Sequence, residues 1–201
     1  MDAERRFGAA LQTDPRNYLA SVALAELKLR SEAPLEDVRK ILQDAINASP
    51  QQPAPRLSLI SLLLKKRLFK DALIASQEAL AAMPGNLTVL DAAGRAQMEA
   101  GDVEQAVSTF RKLAGASANP ASAYLRLADV FRMSGKREQA EVALRKAIEV
   151  DPNFIPAHKA LIDLMVASKR PVIRTARTIM TAIKNGRMII SISNTAKKPG
   201  V

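Results

Sequence analysis

Cysteine is absent from all 201 residues. That excludes disulfides, thiolate nucleophiles and cysteine-ligated zinc, and it is compatible with the cytoplasm and the periplasm alike. Tryptophan is absent too, and five Phe with two Tyr bring the aromatics to only 3%, so platforms for stacking nucleobases are scarce. There is one histidine, His158, and a lone titratable group has no second group to orient or deprotonate it. No HExxH, GxSxG, P-loop or GxGxxG stretch occurs, and the carboxylates do not cluster at the spacing of metal ligands. These absences predict a non-catalytic chain with no cofactor, no metal and no small-molecule substrate. No uninterrupted run of eighteen apolar residues offers a transmembrane helix. The opening MDAERRFGAALQTDP lacks the long apolar core of a secretory signal.

Acidic residues are missing from one region. Up to Asp163 the chain holds 22 Lys and Arg against 20 Asp and Glu, and beyond it eight basic residues stand with no acid, which accounts for +8 of the net +10. The body of the chain is thus nearly neutral, and nucleic acid is not expected as its partner. Only the basic end could engage phosphate, and such contacts would weaken steeply with salt.

What the chain has in abundance is periodicity. In ASAYLRLADVFRMSGKREQAEVALRKAIEVDPNF, residues 121–154, Tyr124, Leu127, Ala128 and Phe131 fall on one helical face, Gly135 breaks the pattern, and Ala140, Leu144 and Ala147 restart it up to Asp151-Pro152. Thirty-four residues earlier stand Leu90, Ala93, Gly94, Gln97, Gly101, Ala106, Phe110 and Leu113. One period before that come Arg56, Leu59, Ile60, Leu63, Arg67, Ala72, Ser76, Ala79 and Pro84, and then Val38, Leu42, Ala45 and Pro50. The helix carrying Leu24 and Ala25 sits one residue further back, which places an extra residue in the Ser31–Pro34 loop, where an insertion costs little. Ala3, Phe7, Ala10 and Pro15 match only a second helix, so the chain opens on a half-unit and is expected to extend further N-terminally.

Period and motif resemble the tetratricopeptide repeat, from Ala3 to about Arg170. The resemblance implies an all-α, right-handed superhelical solenoid of antiparallel helix pairs, with protein or peptide binding in a concave groove and no catalysis. The expected layout is an array over residues 1–170, about four full units with partial units at each end, and an irregular region over residues 171–201. Pro34 is expected inside the first turn of its helix. Asp102 with Gln105 reads as a capping box, and Asn119-Pro120 as an N-cap followed by a first-turn proline. Gly94 is expected to let two helices approach closely. The run RLSLISLLLKK is apolar on almost every side, as a helix buried on both flanks would be. His158 stands in the slot of Tyr124, a packing position.

The face of each first helix turned away from its own partner supplies the groove. By spacing these residues are Leu19, Val22, Glu26 and Leu29; Leu57, Ser61 and Leu64; Asp91, Arg95 and Met98; Leu125, Asp129 and Arg132; and Lys159, Asp163 and Val166. The groove is therefore apolar toward its N-terminal end and of mixed charge toward the other. A competing reading is purely structural: Asp91 with Arg95 and Lys159 with Asp163 stand at i,i+4, a spacing that stabilises a helix by about 0.2–0.5 kcal/mol, and the leucines could simply pack neighbouring repeats. One tetratricopeptide subclass clamps a C-terminal carboxylate with Lys and Asn. The corresponding slots here hold Val22, Glu26, Leu57 and Ser61, so that activity is not implied.

A finer resemblance lies in AAGRAQMEAGDVEQAVSTFRKL and AHKALIDLMVASKRP, which are similar to the long repeat lipoprotein of bacterial exosortase (PEP-CTERM) and exopolysaccharide systems. It implies a periplasmic or envelope scaffold; without it the cytoplasm is the default. A substrate-recruiting arm of a larger enzyme, such as a glycosyltransferase, is the alternative.

The register fails after Pro171. Arg174, Thr178 and Thr181 occupy slots that small and large apolar residues should fill, and a strand-like RMIISIS precedes a loose basic end. Two expectations follow: a reading frame shifted near Arg170-Pro171, or a degenerate capping helix with a disordered tail.

Overall fold

Four tight turns set the period of the fold. In the computed structural model, which describes residues 2–167, the backbone enters the left-handed region at Glu32 (φ 57°), Arg67 (φ 59°), Gly101 (φ 84°) and Gly135 (φ 74°). The last three are 34 residues apart, and Glu32 is one residue further back. Each closes the same two-bond turn. The residue after it donates to a carbonyl five positions earlier, as in Leu68 to Leu63 (2.9 Å), Asp102 to Gln97 (2.8 Å) and Lys136 to Phe131 (2.8 Å). The left-handed residue itself donates three positions back, as in Gly101 to Met98 (3.1 Å). This is the Schellman closure, which satisfies the last carbonyls of a helix before the chain reverses.

The helices so punctuated are α1 (Asp2–Thr13), α2 (Tyr18–Arg30), α3 (Leu35–Ala48), α4 (Pro53–Lys65), α5 (Phe69–Ala82), α6 (Leu87–Glu99), α7 (Val103–Ala116), α8 (Ala121–Met133), α9 (Arg137–Val150) and α10 (Ile155–Ala167). No strand occurs among the described residues. Helices α2/α3, α4/α5, α6/α7 and α8/α9 form pairs; α1 is a second helix and α10 a first one. Each second helix packs on the first helix of the next pair, and α2 also meets α4, α4 meets α6 and α8 meets α10. The chain is an all-α solenoid.

Its core is made of the repeated positions. Leu24, Leu59, Ala93 and Leu127 are buried in equivalent places, as are Val38, Ala72, Ala106 and Ala140. A Cβ built on Gly94 would lie 2.6 Å from Cε1 and Cζ of Phe110, so the glycine does admit the ring of the facing helix. Leu59, Ile60, Leu62 and Leu63 of α4 are all buried, as expected for the helix apolar all round. The buried side chains form two clusters, one from α2 to α6 and one from α6 to α10. Helix α6 belongs to both, giving Val89 and Ala96 to the first and Leu90 to the second.

Three local expectations are corrected. Pro34 is not in the first turn but caps α3 from outside, extended at φ −51° and ψ 135°. It stands in the N-cap slot that Leu68 and Asp102 fill one and two periods on, and its carbonyl accepts the first helical bonds from Asp37 (3.1 Å) and Val38 (3.4 Å). At Asp102 only half of the capping box forms. Its carboxylate accepts from the Gln105 N–H (3.3 Å), but its own N–H is already committed to Gln97 in the Schellman turn. Helix α8 begins at Ala121 rather than Pro120, with the Asn119 side chain accepting from the Ala121 N–H (3.2 Å). The expectations for residues 171–201 lie outside the described residues.

Candidate functional site

Helices α2, α4 and α6 lie side by side with their partner helices behind them. The side chains that spacing assigns to their shared face do come together. Val22, Glu26 and Leu29 of α2 and Leu57 and Ser61 of α4 line a cleft of about 340 Å³. Leu57, Ser61 and Leu64 with Asp91 and Arg95 of α6 line a second, of about 490 Å³. Leu57 and Ser61 border both clefts, which therefore adjoin across α4. Their walls are mainly apolar, and Ser58, Ser61, Thr88 and Ser122 add hydroxyls.

The remaining predicted residues are not gathered in. Leu19 is largely exposed, and Val166 is too. Leu125 and Met98 turn partly into the C-terminal core cluster. Asp129 pairs with Arg132 on its own helix (3.5 Å), and Lys159 and Asp163 stand exposed on α10. Neither of the two i,i+4 pairs forms, and one is replaced. Asp91 bonds Arg126 of the next repeat at 3.2 Å instead of Arg95, because a guanidinium one repeat along reaches the carboxylate across the α6/α8 seam. Arg95 is left without an ion pair among the described residues, and Lys159 makes none with Asp163. A parallel bridge, Arg39 to Asp71 at 3.0 Å, ties α3 to α5.

His158 fills the packing slot. It is buried, with Nε2 2.8 Å from the Pro152 carbonyl. A carbonyl only accepts, so Nε2 carries the proton, and Nδ1 is buried without a partner among the described residues. Among those residues no group of three His, Asp or Glu could hold a metal ion, and no helix is long and apolar enough to cross a membrane.

Sequence spacing did not reveal a third cleft, of about 560 Å³, on the opposite side between α7 and α9 and floored by α8. The signal for it was present: Tyr124 and Phe131 share a helical face, and Ala114, Gly115 and Ala143 leave room above them.

Models of the tetratricopeptide repeat match residues 89–116 and 121–154. No curated protein matches the sequence. Several solved structures share the fold. A tetratricopeptide repeat protein from Parabacteroides merdae is 18% identical, with 90% of this chain and 71% of that one aligned at a TM-score of 0.68. MamA from Desulfovibrio magneticus is 18% identical over 85% of this chain and 95% of its own, with a TM-score of 0.62. YrrB, described as a tetratricopeptide protein with an unusual peptide-binding site, is 15% identical over 89% and 91%, with a TM-score of 0.59. Because the pair before the two matched repeats turns at the same left-handed position, one period back at Arg67, the chain is a tetratricopeptide-repeat protein.

Proposed function

We infer that the chain is a non-catalytic interaction scaffold that holds an extended peptide segment of a partner protein along the face of α2, α4 and α6. One observation carries this reading: the two clefts adjoin at Leu57 and Ser61, giving a trough with apolar walls. An extended peptide cannot satisfy its own N–H and C=O groups. The hydroxyls of Ser58, Ser61 and Ser122 are placed to do so, while Val22, Leu57 and Leu64 take its apolar side chains. The peptide-binding site described for YrrB, a protein of the same fold, points the same way. The further groove residues Leu125, Asp129, Lys159 and Asp163 extend the same face toward the C-terminal end in this proposal.

The test is selection of random linear dodecapeptides on the full chain, followed by affinity measurement on Leu57→Asp and Ser61→Arg variants. Peptides that bind wild type and lose at least about tenfold on both variants are expected, a change of roughly 1.4 kcal/mol. Peptides indifferent to both substitutions would remove the trough from consideration.

The setting proposed for this scaffold is the bacterial envelope, in exopolysaccharide export or surface-protein sorting. Its support is the sequence resemblance carried by residues 92–113 and 157–171. The genes flanking this reading frame test it: export or sorting genes are expected, and a catalytic domain fused in frame would instead make the chain a recruiting arm of an enzyme.

A further inference from the structure

We propose that the trench between α7 and α9 is a second docking site, built for an amphipathic helix of a partner protein that carries an acidic residue at one end of its apolar face. The trench is independent of the α2/α4/α6 trough, lying on the other side of the helix pairs.

The same space recurs between successive second helices, and in the earlier repeats polar side chains bond within it. Arg39 of α3 bridges to Asp71 of α5 at 3.0 Å. Gln97, on the floor between α5 and α7, donates to Gln105 on the wall at 3.5 Å. One period on, Val107 takes the place of Leu73, itself the equivalent of Arg39, and Phe131 takes the place of Gln97. Neither can make the bond its counterpart makes, so this trench stays open. Small residues also keep its walls low: a Cβ built on Gly115 meets nothing within 4 Å. Its floor is aromatic and aliphatic, and Val142 on its wall is 56% exposed.

The chemistry selects a helix over an extended chain. The walls and floor are helices whose own backbone groups are bonded within them, and the apolar floor has no hydroxyl row like that of the trough. An extended segment would bury unpaired N–H and C=O groups here, and each would give up its bonds to water with no partner in return. A helix brings its backbone already satisfied and can seat its ridge between two others.

The charges select its polarity. Lys146 stands at the end of the trench near Tyr124, with Nζ 5.9 Å from the centre of its ring, and Arg111, one residue off the repeat slot of Lys146, lines the facing wall. Glu138 stands at the other end, eight residues or about 12 Å earlier on α9. None of the three has an ion pair among the described residues. A partner helix that sets Asp or Glu at that end meets a cation on each wall, and a base at its far end meets Glu138.

The experiment is a display library in which one exposed helix face of a small three-helix bundle is randomised, selected against the full chain. Enriched clones are expected to share an acidic residue at one end of an apolar stripe. They should lose at least about tenfold in affinity on Val142→Arg, on Gly115→Lys and on the double reversal Arg111→Glu with Lys146→Glu, with no change on Leu57→Asp. Selection on the double-reversal chain should move the preference at that end to Lys or Arg. The four substituted trench residues are all exposed, and unchanged melting curves will show that the variants fold. Failure to enrich any clone, clones that bind Val142→Arg as well as wild type, or clones with no acidic preference would each overturn the proposal. Clones sensitive only to Leu57→Asp would overturn it too, while supporting the trough.

Discussion

Gly94 and Phe110 share one volume at the crossing of α6 and α7, and the other pairs divide the same volume differently. The slots hold Ala128 with Leu144 in the following pair, Ala25 with Leu42 in the first, and Ile60 with Ser76 in the second, all buried. In that second pair the large residue has changed helix. The small one, Ser76, spends its hydroxyl on the Leu73 carbonyl at 2.7 Å and so is satisfied where it lies. Close packing makes such a crossing intolerant of added volume but tolerant of exchange. Gly94→Ala should therefore destabilise the protein by about 1–3 kcal/mol, although alanine favours a helix over glycine by about 1 kcal/mol. The loss should largely vanish when Phe110→Leu is made as well, because the double variant recreates the Ala128/Leu144 pairing. Denaturant titration of the four proteins in this cycle decides the matter, and additive effects would show that the two side chains do not share the space.

At the scale of elements, the turns carry unequal strain. Gly101 and Gly135 take positive φ freely, whereas Glu32 and Arg67 hold a side chain there, where Cβ crowds the following carbonyl. Glu32→Gly is expected to stabilise the chain by roughly 0.5–1 kcal/mol net of the larger entropy of its unfolded state, and Gly101→Ala to cost a comparable amount. Thermal melts of both read this directly. The half-unit α1 is held differently, by Glu4 paired to Lys28 of α2. The hydrogen bond and then the charge of Lys28 hold the Glu4 carboxyl below its ordinary range, and the hydrogen bond and then the charge of Glu4 raise the Lys28 ammonium. A lowered acid stabilises the fold above its unfolded value and is lost as pH falls through the folded one. A raised base stabilises below its unfolded value and is lost as pH rises through the folded one. The tie is therefore complete from roughly pH 5 to pH 10, given the ordinary values of the two groups. NMR titration should show the Glu4 carboxyl returning to the ordinary range in Lys28→Met, together with faster amide exchange in residues 2–13.

Helix positions were legible in the sequence because a repeat states each buried slot several times: a substitution such as Ser76 for a large residue cannot hide a register that Leu42, Phe110 and Leu144 maintain. The extra residue before Pro34 was legible for the same reason. The ion pairs were not. Asp91 has Arg95 one turn away and Arg126 thirty-five residues away, and only the folded stack, which brings the Arg126 side chain of α8 to 3.2 Å, makes the distant partner the nearer one. The trench was missed because a gap is a property of two helices at once; Tyr124 and Phe131 read as core until the small residues facing them are placed.

Over the whole molecule, the two clusters meeting at α6 fix how the solenoid comes apart. Each pair contacts only its neighbours, so stability adds up along the chain and the ends open first. Amide exchange should be slowest in residues 53–150, where helices have neighbours on both sides. The clusters add a sharper expectation. Phe110 is fully buried in the α6–α10 cluster, and Leu63 is 1% exposed in the α2–α6 cluster. Phe110→Ala should cost about 3–5 kcal/mol and Leu63→Ala about 2–5 kcal/mol, enough in a chain of this kind to open one cluster while the other persists. Exchange monitored by mass spectrometry should then show Phe110→Ala losing protection across residues 103–150 while residues 18–65 keep theirs, and Leu63→Ala showing the reverse. Helix α6, with a face in each cluster, should lose part of its protection in both variants. A globular core would respond as a unit, so a uniform loss along the chain in either variant would mean that the interfaces couple all the repeats into one cooperative transition. The selective pattern would instead make α6 the seam, leaving the α2/α4 part of the trough standing when the α7/α9 trench unfolds.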